Sequence, residues 1–349
     1  MFGTTYPIIQ APMAGGTTTP ALVAAVSNAG ALGSLGAAYM TPAQIRDTVA
    51  EIRRLTDRPF AVNLFAGGHD SPHDVDPTAM LAILARHHEA LGLQRPTMPA
   101  WPADRFPEQF EAVLEARPAI FSFTFGLPAE AIRRARDAGI RTVGTATTVD
   151  EAQRLEAAGI DAVVAQGSEA GGHRGTFAGP FENAMIGTMA LVPQVVDAVS
   201  VPVIASGGIM DGRGIVAARA LGAAAVQMGT AFLGCDEAGV AEAHRTALEA
   251  GHEDAATVTR AFSGRPARGL VNDFMRDVHA AEKAGPVTLP FAVHGALTGP
   301  MRRQASRVGD IERMSLWSGQ GVRMFRRMPA AELVRRLVEE SATVAAGLG

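Results

Sequence analysis

The chain of 349 residues contains one cysteine, Cys235, two tyrosines, two tryptophans and no surplus of positive charge. A lone thiol excludes an intramolecular disulfide and a cysteine-based zinc cluster, and it fits a reducing compartment. A formal net charge of −4 leaves no basic field to hold a phosphate backbone, so no nucleic-acid partner is expected. No apolar run reaches the ~18 residues that would mark a membrane span, and the opening "MFGTTYPIIQAPM" lacks the basic start and apolar stretch of a secretory signal. The expectation is a soluble cytoplasmic protein with no membrane contact. A monomer and a homodimer are both compatible with the sequence.

What is present is apolar material, at 47% of residues, arranged as short strand-like runs alternating with helix-like segments. The runs are "PIIQAPM", "ALGSLGA", "FAVNLF", "AIFSFTFG", "RTVGTAT", "AVVAQG", "VPVIASGG" and "AAVQMGTAFL". Helices are expected between them at 20–28, 42–55, 77–91, 128–138, 149–158, 188–199 and 211–221. Alternation of this kind implies parallel strands with helical crossovers, and eight strands in about 235 residues predict a (β/α)8 TIM barrel in an α/β fold. At Gly30, Gly139, Gly159 and Gly222 a helix ends and a strand begins at once, as expected where glycine takes the left-handed conformation. Residues 92–104 read as an extra proline-rich loop carrying Trp101. After Cys235 the pattern turns helical and polar, which predicts a small helical domain at about 235–317 inserted after the eighth strand. The barrel then comprises residues 1–234 and about 318–349, its last helix at 329–348 packing back onto it.

The active face of such a barrel lies at the C-terminal ends of its strands. The seventh strand ends at Ser206, Gly207 and Gly208, and the eighth runs through Gln227, Met228, Gly229 and Thr230. These are the usual phosphate-binding positions of the fold, with the helix near Asp211 adding its positive dipole end. The sixth strand ends in "QGSEAGGHRG", with Gln166 at the strand end, Gly171 and Gly172 free of side chains, and His173 near the mouth. Histidine is the side chain able to exchange a proton near neutrality. "QAPMAGG" after the first strand and Asn63 on the third add small and polar groups at the same opening, where a flat heterocycle would fit.

Together "PIIQAPMAGG", "FAVNLF", "AQGSEAGGHRG", "PVIASGGIMDGRG", "VQMGTAFL" and "LWSGQGV" resemble the motifs of the nitronate monooxygenases, formerly called 2-nitropropane dioxygenases. The resemblance runs from the first strand to about Val322. It implies an FMN enzyme acting on nitronates with O2. It places Ala11, Pro12, Met13 and Ala14 beside the flavin and gives Asn63 and Gln166 hydrogen bonds to its ring. It assigns Gly171, Gly172, Ser206, Gly207, Gly208 and the run 227–230 to the ribityl chain and phosphate. His173 matches the family's active-site histidine. A glutamine at 166 favours this branch over FMN-type enoyl reductases, which tend to carry glutamate there. The family's pocket tyrosines and lysine are not evident, which implies a more apolar pocket walled by Phe65, Phe123, Phe125 or Phe177.

Other readings remain open at this stage. The same groups would serve an FMN reductase driven by NAD(P)H on an enoyl thioester or quinone, or a flavin-binding sensor without turnover. A phosphate-binding lyase would want a Schiff-base lysine at a strand end, and none of the eight carries one. His69, Asp70, His73 and Asp74 could ligate a metal, but turn-forming Asp and Pro make a polar loop the commoner outcome, and no metal is expected. His87 and His88 read as part of a solvated helix face. Cys235 reads as a small buried residue rather than a nucleophile.

Overall fold

The structure is a computed structural model that describes residues 1–67 and 75–348. Its parallel strands are β1 (Ile8–Gln10), β2 (Gly33–Gly36), β3 (Phe60–Phe65), β4 (Ile120–Thr124), β5 (Arg141–Ala146), β6 (Ala162–Gln166), β8 (Val203–Ser206) and β9 (Ala225–Met228). They neighbour one another in the order β1-β9-β8-β6-β5-β4-β3-β2. A parallel bridge between Ile9 and Leu32, with Gln10 N–H to the Leu32 carbonyl at 2.9 Å, brings the two ends together and closes the barrel. Inward-facing Ile9, Leu32, Ala61, Ile120, Val143, Val164 and Ile204 fill the interior, and Phe2 plugs it.

Between the strands run α1 (Pro20–Asn28), α2 (Pro42–Leu55), α3 (Thr78–Ala90), α4 (Phe106–Ala116), α5 (Ala129–Asp137), α6 (Val149–Ala157), α7 (Thr188–Ala198) and α8 (Gly212–Ala220). Four of these helices, α1, α5, α6 and α8, hand over to the next strand through Gly30, Gly139, Gly159 and Gly222, whose φ angles of +91°, +75°, +85° and +95° only glycine adopts without cost. The sequence pattern announces no element at α4. That helix buries Phe110, Ala112 and Val113 against the barrel and, with α3, makes the third crossover a double one.

The segment after Cys235 is not purely helical. It holds α9 (Glu242–Glu249), α10 (Asp273–Glu282) and α11 (Phe291–Val308), but also β10 (Ala256–Thr259) and β11 (Ala267–Leu270). The two strands pair antiparallel, and β11 continues onto β7 (Gly172–His173), which belongs to the glycine-rich loop of the barrel. The covering segment is therefore sewn to the barrel through the histidine itself. Its apolar core also takes Met80, Ile83 and Leu84 from α3. That packing buries His87 and His88, each 4% exposed, contrary to the solvated face expected. The partners of α3 come from far downstream: His87 Nε2 lies 3.0 Å from Asp277 Oδ2, about 190 residues away, and its ring packs edge-on against Phe274. The last helix, α12 (Ala330–Gly347), lays Leu333, Val334 and Leu337 on the barrel as expected.

Candidate active site

His173 stands at the meeting of barrel and cover. Its ring centroid lies 5.6 Å from those of Phe125, Phe291 and Trp317 and 5.9 Å from that of Phe65. Tyr39, just past β2, packs edge-on against Phe65 at 5.7 Å. Of the walls expected from sequence, Phe65 and Phe125 take that place. Phe123 is fully buried against Phe121 in the barrel's outer core, and Phe177 packs on the same core. Phe291 and Trp317 were missed because they reach the site only when the cover folds over it.

Phe125 has φ +79°, a left-handed backbone that costs a bulky residue free energy. Flanking glycines allow it: a Cβ on Gly67 would come within 2.4 Å of the Phe125 carbonyl, and one on Gly126 within 2.6 Å of the Ala66 carbonyl. The strained turn aims the ring at His173, and the Arg265 guanidinium sits 4.0 Å above that ring.

Within the loop, His173 Nε2 is 2.8 Å from Ser263 Oγ. Burial, then the charges of Arg265 and Arg302, push its pKa down to about 3, so the imidazole is neutral at ordinary pH. The residue as a whole is half-buried. Gln166 donates from Nε2 to the His173 carbonyl at 3.0 Å and accepts the Gly175 amide at 2.8 Å, so its side chain pins the loop. Arg174, buried beneath, donates to the carbonyls of Gln166 and Ala184.

Gly171 is wedged where a Cβ would lie 2.5 Å from the Gly319 amide nitrogen, and Gly172 takes φ +69° to turn the chain into β7. The late "LWSGQGV" segment is bound here: Gly319 N–H donates to Thr230 Oγ1 at 2.9 Å and Gln320 N–H to the Glu169 carbonyl at 3.0 Å. Gly207 and Gly208, after Ser206, have φ +112° and +72°. The amides of Gly171, Gly208 and Gly229 have no protein acceptor among the described residues. These side-chain-free turns, with amides left over, form a cradle that fits a phosphorylated cofactor.

The N-terminus of α8, however, does not serve that cradle directly. Asp211 accepts the amides of Arg213 and Gly214, and Glu340 of α12 accepts that of Gly212. Carboxylates therefore occupy the donors that the sequence suggested for an anion.

Nearby, the Ala11, Pro12, Met13 and Ala14 backbone crosses Gly36, where a Cβ would meet the Ala14 nitrogen at 2.5 Å. Asn63 is buried and donates to Ser122 Oγ at 2.9 Å. Gln227 is partly exposed at the mouth, Met228 is buried beneath it, and a Cβ on Gly229 would sit 3.6 Å from that of Ala11. The possible ligands His69, Asp70, His73 and Asp74 lie outside the described residues. Cys235 is buried, and its thiol is pushed up to about 12 by burial and by Glu237 and Asp236, which agrees with an inert role.

The family model described as nitronate monooxygenase matches residues 1–340. The chain belongs to the nitronate monooxygenase family. Its members are flavin-dependent oxidoreductases, and this protein is an enzyme of that class. A probable nitronate monooxygenase of Staphylococcus aureus (strain MSSA476) is 43% identical over 342 residues, 97% of this chain and 95% of that protein. The solved nitroalkane oxidase of Streptomyces ansochromogenes shares 41% identity, covers 99% of both chains and superposes with a TM-score of 0.90. The structure of FabK from Thermotoga maritima is more distant, at 31% identity and TM-score 0.79, with 99% of this chain and 95% of that one covered. Among the described residues no helix is long and apolar enough to cross a membrane.

Proposed function

We propose that the protein binds FMN and uses O2 to oxidise alkyl nitronates, propionate 3-nitronate being representative, and their parent nitroalkanes. The observation that carries this reading is a neutral His173 imidazole in an aromatic mouth directly beside a cradle of unpaired amides. Bound flavin would supply the electron acceptor for the substrate and the donor to O2. The amides of Gly171, Gly208 and Gly229, with Gly172, Ser206, Gly207 and Thr230, would hold the phosphate and ribityl chain. Ala11–Ala14, Asn63, Gln166, Gln227 and Met228 would border the ring. Facing them, Phe65, Phe125, Phe291 and Trp317 exclude water from the reacting carbon. A neutral imidazole can accept the α-proton of a nitroalkane, or donate a hydrogen bond to the oxygens of a nitronate that arrives already ionised.

The purified protein is expected to be yellow and to release its flavin as FMN on acid precipitation. Propionate 3-nitronate should be consumed with O2 and no nicotinamide, while NADPH leaves the flavin oxidised over the same period. Rapid anaerobic bleaching by NADPH without nitronate consumption would overturn the reading in favour of a reductase. Gly208→Val should weaken FMN binding by on the order of 2 kcal/mol, the scale of lost charge-assisted hydrogen bonds. Because Gly208 has φ +72°, valine there also strains the backbone, so the apoprotein Tm should fall as well. An FMN titration giving the wild-type Kd would place the phosphate elsewhere.

A further inference from the structure

Ser263 is buried in the turn between β10 and β11, 90 residues downstream of His173. That turn is held on several sides. Gly264 N–H donates to the Arg260 carbonyl at 2.8 Å, and Thr298 Oγ1 of α11 donates to the Phe262 carbonyl. His294 of α11 adds a third tie: Leu289 N–H donates to its Nδ1 at 3.0 Å, so its ring proton sits on Nε2 and is donated to the Ala261 carbonyl at 2.7 Å. Gly264 takes φ +77°, and a Cβ on it would lie 2.2 Å from the Leu289 carbonyl, so the turn is pressed against the chain leading into α11. The hydroxyl of Ser263 is thereby held in place.

Three groups surround Ser263 Oγ. It donates to the Arg265 carbonyl at 3.2 Å, accepts Arg265 N–H at 3.3 Å and lies 2.8 Å from His173 Nε2. A serine hydroxyl has one proton and two lone pairs. With the proton turned to the carbonyl, Oγ meets Nε2 as an acceptor, which puts the ring proton on Nε2. In a neutral imidazole the other nitrogen then carries a lone pair. His173 Nδ1 has no hydrogen-bond partner among the described residues, and unlike His87 Nδ1 or His244 Nε2 it is not fully enclosed by protein.

The geometry points to Ser263 as a positioning residue that selects the tautomer of His173, keeping the lone pair on Nδ1 so that the imidazole takes a proton from the substrate rather than offering one. For its chemistry this rests on the function inferred above; the tautomer itself does not. With a nitroalkane, the Cα–H bond breaks, its electron pair stays with the nitro compound as the nitronate, and the proton forms an N–H bond at Nδ1. The resulting imidazolium keeps its Nε2–H on Ser263. A nitronate that arrives already ionised needs no such step, so the serine should matter more for nitroalkanes than for nitronates.

The test begins with 15N-histidine-labelled holoenzyme, in which the ring nitrogens of His173 are identified by their loss in His173→Asn. They should show a proton on Nε2 and none on Nδ1, and a form protonated on Nδ1 should appear in Ser263→Ala. In the same variant, kcat for 1-nitropropane should fall by roughly 10-fold or more beyond the loss seen with propyl 1-nitronate, because a proton acceptor in the wrong tautomer forfeits part of its contribution. Ser263→Thr keeps the hydroxyl and should recover both the tautomer and most of the rate. A wild-type proton on Nδ1 overturns the inference, as do equal losses on the two substrates, which a merely structural serine would give. Should the wild type consume neither compound, the function above fails and the tautomer decides alone: a shift confined to Ser263→Ala supports the role of the serine, and an unchanged tautomer in that variant overturns it.

Discussion

His173→Asn is expected to slow turnover of nitroalkanes by roughly 10²-fold or more, the usual contribution of a positioned proton acceptor, while the flavin stays bound. Asparagine keeps the size and a hydrogen-bond donor but takes no proton. The pH dependence separates a chemical role from a structural one. His173 has its pKa lowered from 6.5 to about 3, so the native protein resists a proton that the unfolded chain accepts. Its contribution to stability is therefore complete above pH 6.5 and is lost as the pH falls from there towards 3. Wild-type Tm should drop relative to His173→Asn across that window. The kcat/KM profile should show no histidine limb near the ordinary value of 6.5, because the imidazole is already neutral there. Full activity in the asparagine variant would leave the histidine structural and remove it from the mechanism.

The second large effect is expected at a residue that never touches substrate. Glu151, fully buried on α6, accepts Phe177 N–H and Ala178 N–H at one carboxylate oxygen and Thr147 N–H and its hydroxyl at the other. These four donors tie the far end of the His173 loop to the barrel. Glu151→Ala leaves buried amides without acceptors, and about 3 kcal/mol or more of stability should be lost in urea unfolding. Glu151→Gln should recover little, since one oxygen becomes an NH2 facing two donors. A variant that unfolds like the wild type would show that water replaces the carboxylate and that the loop is held by Gln166 and Arg174 alone.

Some of this was legible along the chain because its causes are local. The helix bounds of α1 and α2 follow from a threonine cap and a proline at the first position, both contained within a few residues. Glycines that end four of the barrel helices announce themselves by position. The glycine-rich turns after β6, β8 and β9 marked the cradle, and the motif "QGSEAGGHRG" marked the histidine. Glu151 was hidden although a signal exists: Thr148 three residues before it reads as a capping box, and Thr148 does accept the Glu151 amide. The carboxylate turns instead to a loop more than 25 residues away.

Periodicity, caps and glycine positions thus determined a barrel of eight strands and pointed to a candidate site at the C-terminal ends of those strands, because each depends on neighbours within about one helix–strand unit. Tertiary structure alone decided the rest. It buried His87 and His88 under a segment that begins far downstream, brought Phe291 and Trp317 around His173, and spent the α8 amides on Asp211 and Glu340. It also set the charge state of His173, through burial and two arginines at positions 265 and 302 that no local pattern connects to it. The reason is physical: burial and charge act through space, and the distances that fix them exist only after the chain has closed on itself.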